Sequence, residues 1–250
     1  MFALDKIEEL QQAKEDMKTT LEEKGVTVAD GAKIDEYPEL VGSLSSSGYS
    51  SKDYYEGTMT SITLPKGLTK IGDQSFYYQS NITDISMPET VTSIGYSAFG
   101  YCYKLTNLSL PSQLKTIGKS AFYSCSKLDL TSLPAGLTTL GDYAFYYCSG
   151  MSTLSSIPDT TTSVGRGTFS VTNLSTMTFP ASISTIGEEA FGYCSNLITV
   201  TFKGTPASIH STAFTSCSSL TTINVPWVEG TVANAPWGAT NATVNYNYVE

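Results

Sequence analysis

The sequence predicts an α/β fold: a solenoid of stacked repeats in which each repeat adds one short strand to a parallel β-sheet. Two recurring motifs carry this prediction, a hydrophobic-Gly-x-x-x-Phe motif and an apolar-x-x-apolar-x-apolar-Pro motif. The composition agrees, because 40% of residues are hydrophobic and only 15% are charged. A chain of this composition can bury a core and is not expected to be disordered.

The first motif places one phenylalanine in each repeat. The phenylalanines are separated by 23, 23, 23, 24, 22 and 23 residues, and they are Phe76, Phe99, Phe122, Phe145, Phe169, Phe191 and Phe214. We expect them to stack inside the solenoid, on the side away from the sheet. The glycine four residues earlier should need either a positive φ or close backbone approach, and His210 replaces it in the last copy.

The second motif predicts the strands. Its copies include Met59-Ile62-Leu64-Pro65, Ile82-Ile85-Met87-Pro88, Leu105-Leu108-Leu110-Pro111, Leu174-Met177-Phe179-Pro180 and Leu220-Ile223-Val225-Pro226. Alternating apolar residues closed by proline are typical of a strand with one buried face. We expect about eight strands, which at ~4.8 Å spacing give a sheet roughly 34 Å long. Thr131 departs from the pattern, because it stands where an apolar residue is expected.

The combined repeat, LxxIxLPxxLxxIGxxAFxxC, resembles the BspA-type leucine-rich repeat over residues 58–226. A repeat length in the low twenties lies within the leucine-rich-repeat range. The resemblance implies a leucine-rich-repeat solenoid and a non-catalytic role, usually adhesion at a bacterial surface. We therefore divide the chain into a helical segment 1–44, a flexible linker 45–57, the solenoid 58–226 and a C-terminal cap 227–250.

The N-terminal segment is predicted to be an amphipathic helix over residues 3–24 that attaches or oligomerises the chain. Its apolar stripe at heptad spacing consists of Ile7, Leu10, Met17 and Leu21. Such a narrow stripe suits a short coiled coil or docking onto a partner, and the alternative is that the helix folds back to cap the solenoid. The serine-rich linker favours association, because it would uncouple the two parts.

Both ends resemble parts of bacteriophage proteins. The pairing of LDKIEELQQAKEDMKTTLEEKGVTV with IDEYPELVGSL resembles N-terminal attachment segments of tail and appendage proteins in phages of gut bacteria. The stretch from Val225 to Tyr248, with Trp227 and Trp237, is similar to the ends of leucine-rich phage and prophage proteins. This resemblance implies a virion component.

Outward-facing strand positions form the first candidate binding surface, which we call the polar strand face. Its members are short hydroxyl, amide and carboxylate side chains, and they are Thr83, Asp84, Ser86, Thr106, Asn107, Ser109, Thr176, Thr178, Thr199, Thr201, Thr222 and Asn224. A hydrogen-bonding surface of this kind suits a cell-surface glycan or another protein. The alternative is structural, because threonine simply favours strands.

Tyrosines close behind the phenylalanines form a second candidate surface, the tyrosine flank, which includes Tyr78, Tyr101, Tyr147 and Tyr193. Tyrosine is enriched where proteins bind partners, but these rings could equally pack on one another. Five cysteines each follow a phenylalanine by three residues. We expect buried core thiols, with zinc binding or a redox pair as the alternatives.

The charge pattern excludes several functions. A net charge of −9 with a single arginine, Arg166, argues against nucleic-acid binding. No apolar run is long enough to insert into a membrane. One histidine and no glycine-rich phosphate loop leave little acid–base or phosphate chemistry, so we expect neither an enzyme nor a cofactor.

Two functional hypotheses remain. The first is a virion appendage or tail-fibre component, made in the host cytoplasm, that binds other virion proteins through residues 1–44 and a host surface or virion protein through its repeats. The start of the sequence, MFALDKIEEL, lacks the apolar stretch of a secretory signal, which favours this hypothesis. The alternative is a BspA-like adhesin on the bacterial surface. Either protein could form a homo-oligomer.

Overall fold

A computed structural model of the 250-residue chain describes residues 58–64 and 66–249. These residues form a parallel β-solenoid of stacked coils, and they contain no helix. The predicted N-terminal helix, to which the α part of the predicted class refers, lies outside the described residues. The same is true of the predicted linker and of the stripe formed by Ile7, Leu10, Met17 and Leu21.

The strands are short and every pairing between them is parallel. In chain order they are β1 (Ser61–Thr63), β2 (Lys70–Ile71), β3 (Asp84–Ser86), β4 (Ser93–Ile94), β5 (Asn107–Leu108), β6 (Thr116–Ile117), β7 (Thr139–Leu140), β8 (Ser163–Val164), β9 (Thr176–Phe179), β10 (Thr185–Ile186), β11 (Thr199–Phe202), β12 (Ser208–Ile209), β13 (Thr222–Asn224) and β14 (Thr243–Asn245).

The predicted strands form one side of the solenoid, but the expected continuous sheet of about eight strands is wrong. This side carries two separate sheets, β1-β3-β5 and β9-β11-β13-β14. Pairs such as Ile62 and Ile85 lie 23 residues apart, so each strand pairs with its counterpart in the next repeat. Between the sheets, segments 128–134 and 151–157 make no strand, and one isolated bridge joins Ser156 to Thr178.

A second row of strands was not predicted by the motifs. Each of these strands ends directly before the glycine of the first motif, or before His210 in the last copy. The row forms the sheets β2-β4-β6-β7 and β8-β10-β12. Each strand has two residues, a polar one followed by a buried aliphatic one such as Ile94 or Ile117. The aliphatic side chains of both rows meet in a single hydrophobic core, so each coil is closed by turns and contributes two short strands.

The seven phenylalanines form one interior stack, as predicted. Each ring lies parallel or nearly parallel to the next, with centroids 5.2–5.7 Å apart. All seven are at most 2% exposed. Because no coil can bury its own phenylalanine, the stack makes each repeat depend on its neighbours.

The glycine column exists for close approach and not for a positive φ. None of the six glycines of the motif has a positive φ. A Cβ added at Gly118 would lie 2.8 Å from the carbonyl carbon of Gly95, and one at Gly187 would lie 2.8 Å from that of Gly165. Successive coils therefore pack backbone against backbone at this corner.

The left-handed positions lie instead two residues before and after the first six phenylalanines and two residues after Phe214, and most carry side chains. Ser120 (φ 55°) and Ser124 (φ 58°) flank Phe122, and Tyr143 (φ 56°) and Tyr147 (φ 59°) flank Phe145. Such angles cost a non-glycine residue about 1–2 kcal/mol. Hydrogen bonds between coils hold them: the Ser124 amide, for example, donates to the Tyr146 carbonyl at 2.8 Å.

The five cysteines are free and buried. Each thiol donates to a phenylalanine carbonyl in the preceding coil, at 2.9–3.2 Å, as in the bond from Cys125 to Phe99. Burial raises the pKa of the Cys125 thiol far above its ordinary value. Burial likewise raises the pKa of the Cys102 and Cys148 thiols. The column thus ties neighbouring coils together.

The C-terminal stretch adds one more coil. β14 pairs with β13 in the same parallel register, with Ile223 opposite Val244. Trp237 is completely buried, and its indole NH donates to the Ala233 carbonyl at 2.7 Å. The amide of Phe214 donates to the Trp237 carbonyl at 2.9 Å, so this tryptophan covers the last coil of the phenylalanine stack.

Candidate binding surface

A groove of about 1040 Å³ opens on the polar strand face, between Asp84 and Ala135. Its floor includes the half-buried Leu108 and Leu110. Its rim carries hydroxyls, an amide and carboxylates, among them Asn107 and Ser109. The groove lies where the strand row stops after β5, so its position follows from the interruption of the sheet.

The interruption has a cause in the sequence. In segment 128–134 Leu128 and Leu133 are buried at the expected positions, but Leu130 (4% exposed) is buried where Thr131, the counterpart of Leu108, is exposed. At the centre of the segment the buried residue is therefore one position out of phase with Leu108 of β5. A shift of one residue reverses which side chains face the core, and no backbone hydrogen bond joins this segment to residues 105–111 in the described chain.

The side chain of Asp129 makes hydrogen bonds to the next coil in a segment that has no strand pairing of its own. Its carboxylate accepts hydrogen bonds from the amides of Ser152 and Thr153, at 2.9 and 3.1 Å, and from both of their hydroxyls. These bonds outweigh the opposing effect of burial and lower the pKa of Asp129. Asp129 thus holds segment 128–134 to the next coil through its side chain.

Five of the predicted strand-face residues line the groove, and they are Asp84, Ser86, Thr106, Asn107 and Ser109. Two hydroxyls of this face also join coils: Thr83 donates to the Thr60 carbonyl at 2.9 Å and Thr106 to the Thr83 carbonyl at 3.3 Å. Ser86 and Ser109 are exposed and make no side-chain hydrogen bond within the described residues. They are therefore free to meet a ligand.

The other predicted residues lie beyond the groove. Thr176, Thr178, Thr199, Thr201 and Thr222 are exposed or half-buried on the second sheet. Asn224 was predicted to face outward, but this is wrong, because its side chain is only 8% exposed. It donates to Thr201 at 3.3 Å and accepts from Asn245 at 2.9 Å, so β14 covers it.

The tyrosine flank is largely occupied by its own contacts. Tyr78 and Tyr101 stack with centroids 4.4 Å apart, and Tyr101 also contacts Tyr123 at 5.2 Å. The outer members Tyr147 and Tyr193 are 49% and 51% exposed. The packing interpretation therefore describes Tyr78 and Tyr101, whereas the rings of Tyr147 and Tyr193 are half exposed to solvent.

The groove is electronegative. Hydrogen bonds from Thr83 and Asn107 lower the pKa of Asp84, and bonds from the hydroxyl and amide of Ser112 lower that of Glu89. With Asp129 this makes three carboxylates that are ionised at neutral pH. No lysine or arginine is among the residues that line the groove, so this charge is not neutralised there.

Residues 58–64 and 66–249 contain no group of three His, Cys, Asp or Glu side chains that could hold a metal ion. His210 lies on an exposed turn, with its Nδ1 2.9 Å from the Thr212 hydroxyl. Within that part of the chain, no helix is long and apolar enough to cross a membrane.

Sequence reasoning missed Glu89, Ser112 and Asp129, which shape the groove. Each lies at a repeat position without an apolar or glycine signature, so the period gave no reason to single it out. The phase shift at Leu130 was the available signal, because it marks the coil at which the strand row breaks.

The fold defines the class: this is a repeat protein of the parallel β-solenoid type with an exposed strand face. The sequence profile described as BspA type Leucine rich repeat region matches residues 49–156 and 151–229, with six copies. The chain therefore belongs to the BspA-type leucine-rich-repeat family.

A solved leucine-rich-repeat structure shares the fold, and others are similar over part of their length. The leucine-rich-repeat protein TpLRR of T. pallidum is 24% identical, with a TM-score of 0.53, and the match covers 64% of this chain and 77% of that one. The pneumococcal vaccine antigen PcpA is 20% identical, with a TM-score of 0.47, over 76% of this chain and 42% of that one. A leucine-rich-repeat protein of Bacteroides ovatus is 20% identical, with a TM-score of 0.40, over 74% and 61%. No curated protein sequence matches the chain.

Proposed function

We propose that this chain is a non-catalytic binding protein that holds a protein or a cell-surface glycan on its polar strand face. The observation that carries the proposal is the groove beside β5, where exposed hydroxyls and an uncompensated negative charge surround an apolar floor. Binding sites commonly combine an apolar floor with a few polar groups that fix orientation.

For the setting, we propose a virion appendage or tail-fibre component anchored through residues 1–44. The support is the resemblance of both ends of the chain to phage proteins. A BspA-like adhesin on the bacterial surface is the second candidate, and membership of the BspA-type family favours it. Immunogold labelling separates them: label on purified virions supports the first, and label on uninfected cells supports the second.

Binding is tested with the fluorescently labelled full chain on a panel of gut bacteria and on purified virions of their phages. The variant Ser109→Trp fills the groove at an exposed position, and Ser195→Trp adds the same side chain at an exposed serine of the opposite turn. We expect Ser109→Trp to lose most of the captured fluorescence and Ser195→Trp to retain it. Equal capture by both variants would place the binding site elsewhere and refute the assignment to the groove.

A further inference from the structure

The groove borders an open sheet edge in the middle of the solenoid. β5 pairs with β3 on one side only, because the ladder does not continue into segment 128–134. An unpaired edge of a sheet is a template for another extended chain. Strands β11 and β13, in contrast, are paired on both sides.

The lining of the groove also runs along the strand direction. It extends from Asp84 to Glu89 on one coil and from Asp129 to Ala135 on another. The five residue steps from Asp84 to Glu89 would span roughly 16 Å in an extended chain. Along residues 107–110, the exposed Asn107 and Ser109 alternate with the half-buried Leu108 and Leu110. This alternation presents apolar and polar groups with the two-residue period of a strand.

The carboxylates that line the groove indicate which charges a bound segment should carry at its two ends. Asp84 and Asp129 lie at the start of the groove, and Glu89 lies near its other end, with no cation among the lining residues. An extended segment with basic residues at both ends would place a positive charge near each carboxylate. Short apolar side chains in its middle would lie over Leu108 and Leu110.

We propose that the groove binds an extended, basic-ended segment of a partner protein, which adds to the open edge of β5 as a strand. The inference rests on the proposed binding function and names the class of partner. Main-chain hydrogen bonds to the strand edge would give affinity, and the apolar floor and carboxylates would select the side chains. A glycan would not use the strand edge in this way.

The test measures binding of the fluorescein-labelled peptide KKVTVKK to the full chain by fluorescence anisotropy. Alternate amides of a strand point to the same edge, so two N-methylated versions are compared. One is methylated at both valines, and the other at the threonine and the two lysines beside the valines. We expect one version to bind at least about tenfold more weakly and the other to bind almost unchanged, because only one edge of the peptide pairs and methylation removes the main-chain donors on that edge.

The charge contribution is tested with the double variant Asp84→Asn, Glu89→Gln. Both residues are exposed or half-buried, and the amides keep an acceptor for their present donors. We expect about fivefold weaker binding of KKVTVKK, from two exposed ion pairs. The matched control removes the same charge outside the groove, in Glu189→Gln, Glu229→Gln, and should change binding less than twofold by this reasoning.

Three results would overturn the proposal: no binding of KKVTVKK at millimolar concentration, equal loss for both methylated peptides, or equal loss for the two double variants. The methylated peptides are compared on the unmodified chain, so this arm does not depend on how any variant folds. If the peptide fails while Ser109→Trp still abolishes capture of cells or virions, the strand-addition proposal falls and the binding function stands.

Discussion

Replacing Gly118 with alanine tests whether the glycine column serves close approach. The added Cβ would lie 2.8 Å from the carbonyl carbon of Gly95, 2.9 Å from its oxygen and 3.0 Å from the Ile94 oxygen. All three atoms belong to the backbone of the preceding coil, so none can move away without separating the coils. Overpacking of this kind costs about 1–3 kcal/mol, and we expect the upper end of that range.

The matched variant is Ser216→Gly, which should act in the opposite direction. Ser216 is exposed and has φ 56°, a left-handed angle that glycine adopts without strain. Removing the strain is worth about 1–2 kcal/mol, and the greater freedom of glycine in the unfolded chain offsets about half of it. We therefore expect a net gain of roughly 0.5–1 kcal/mol in the free energy of unfolding.

Urea denaturation followed by circular dichroism measures both changes on the full chain. If Gly118 were needed only as a flexible residue with negative φ, alanine would stabilise the protein by about 0.4–1 kcal/mol. A neutral or stabilising Gly118→Ala would therefore refute the account of the column. A destabilising Ser216→Gly would refute the account of the left-handed positions.

Three other predictions concern the core and the interrupted coil. Phe122→Ala should lower the free energy of unfolding by about 3–5 kcal/mol, because it removes the ring between Phe99 and Phe145; a loss under about 1 kcal/mol in urea denaturation would contradict the interior stack. Cys125 should react with a maleimide only after unfolding, since its thiol is buried and its pKa is raised; mass spectrometry showing rapid labelling of the native chain would disprove this. Because the folded pKa of Asp129 is lowered, its ionised form stabilises the protein above the unfolded pKa, and that stabilisation is lost as pH falls through the folded value. Asp129→Asn should therefore be less stable at pH 7 and approach the unchanged chain in acid, and a pH-independent difference in melting temperature would rule out the carboxylate as the cause.

The repeating part of the fold was predictable because it depends on spacing. The phenylalanine stack and the inward strand residues follow from side chains that recur every 22–24 residues and cannot be buried within one coil. The family resemblance found in the sequence agrees with the profile match over residues 49–156 and 151–229. Spacing alone did not distinguish the two possible reasons for the glycines, because φ angles and backbone contacts are not encoded in a period.

The interruption of the sheet was not predictable in the same way. Thr131 was visible as a departure, but the consequence depended on Leu130 entering the core in its place. Asp129 then had to accept four hydrogen bonds to join the next coil. These are contacts between particular atoms, so the groove, Glu89 and Asp129 follow only from the structure. The outward positions of Asp84, Ser86 and Ser109, in contrast, were predictable from the strand pattern.

Both strand rows stop within the same part of the molecule, between β7 and β8 in one row and between β5 and β9 in the other. Across this region the coils remain joined through the turns, as in the bond from the Phe145 amide to the Thr168 carbonyl, and through the rings of Phe145 and Phe169. A linear array fails where the coupling between neighbours is weakest. Under mechanical load from its two ends, the protein would therefore rupture here first, and the two halves would lengthen in separate steps.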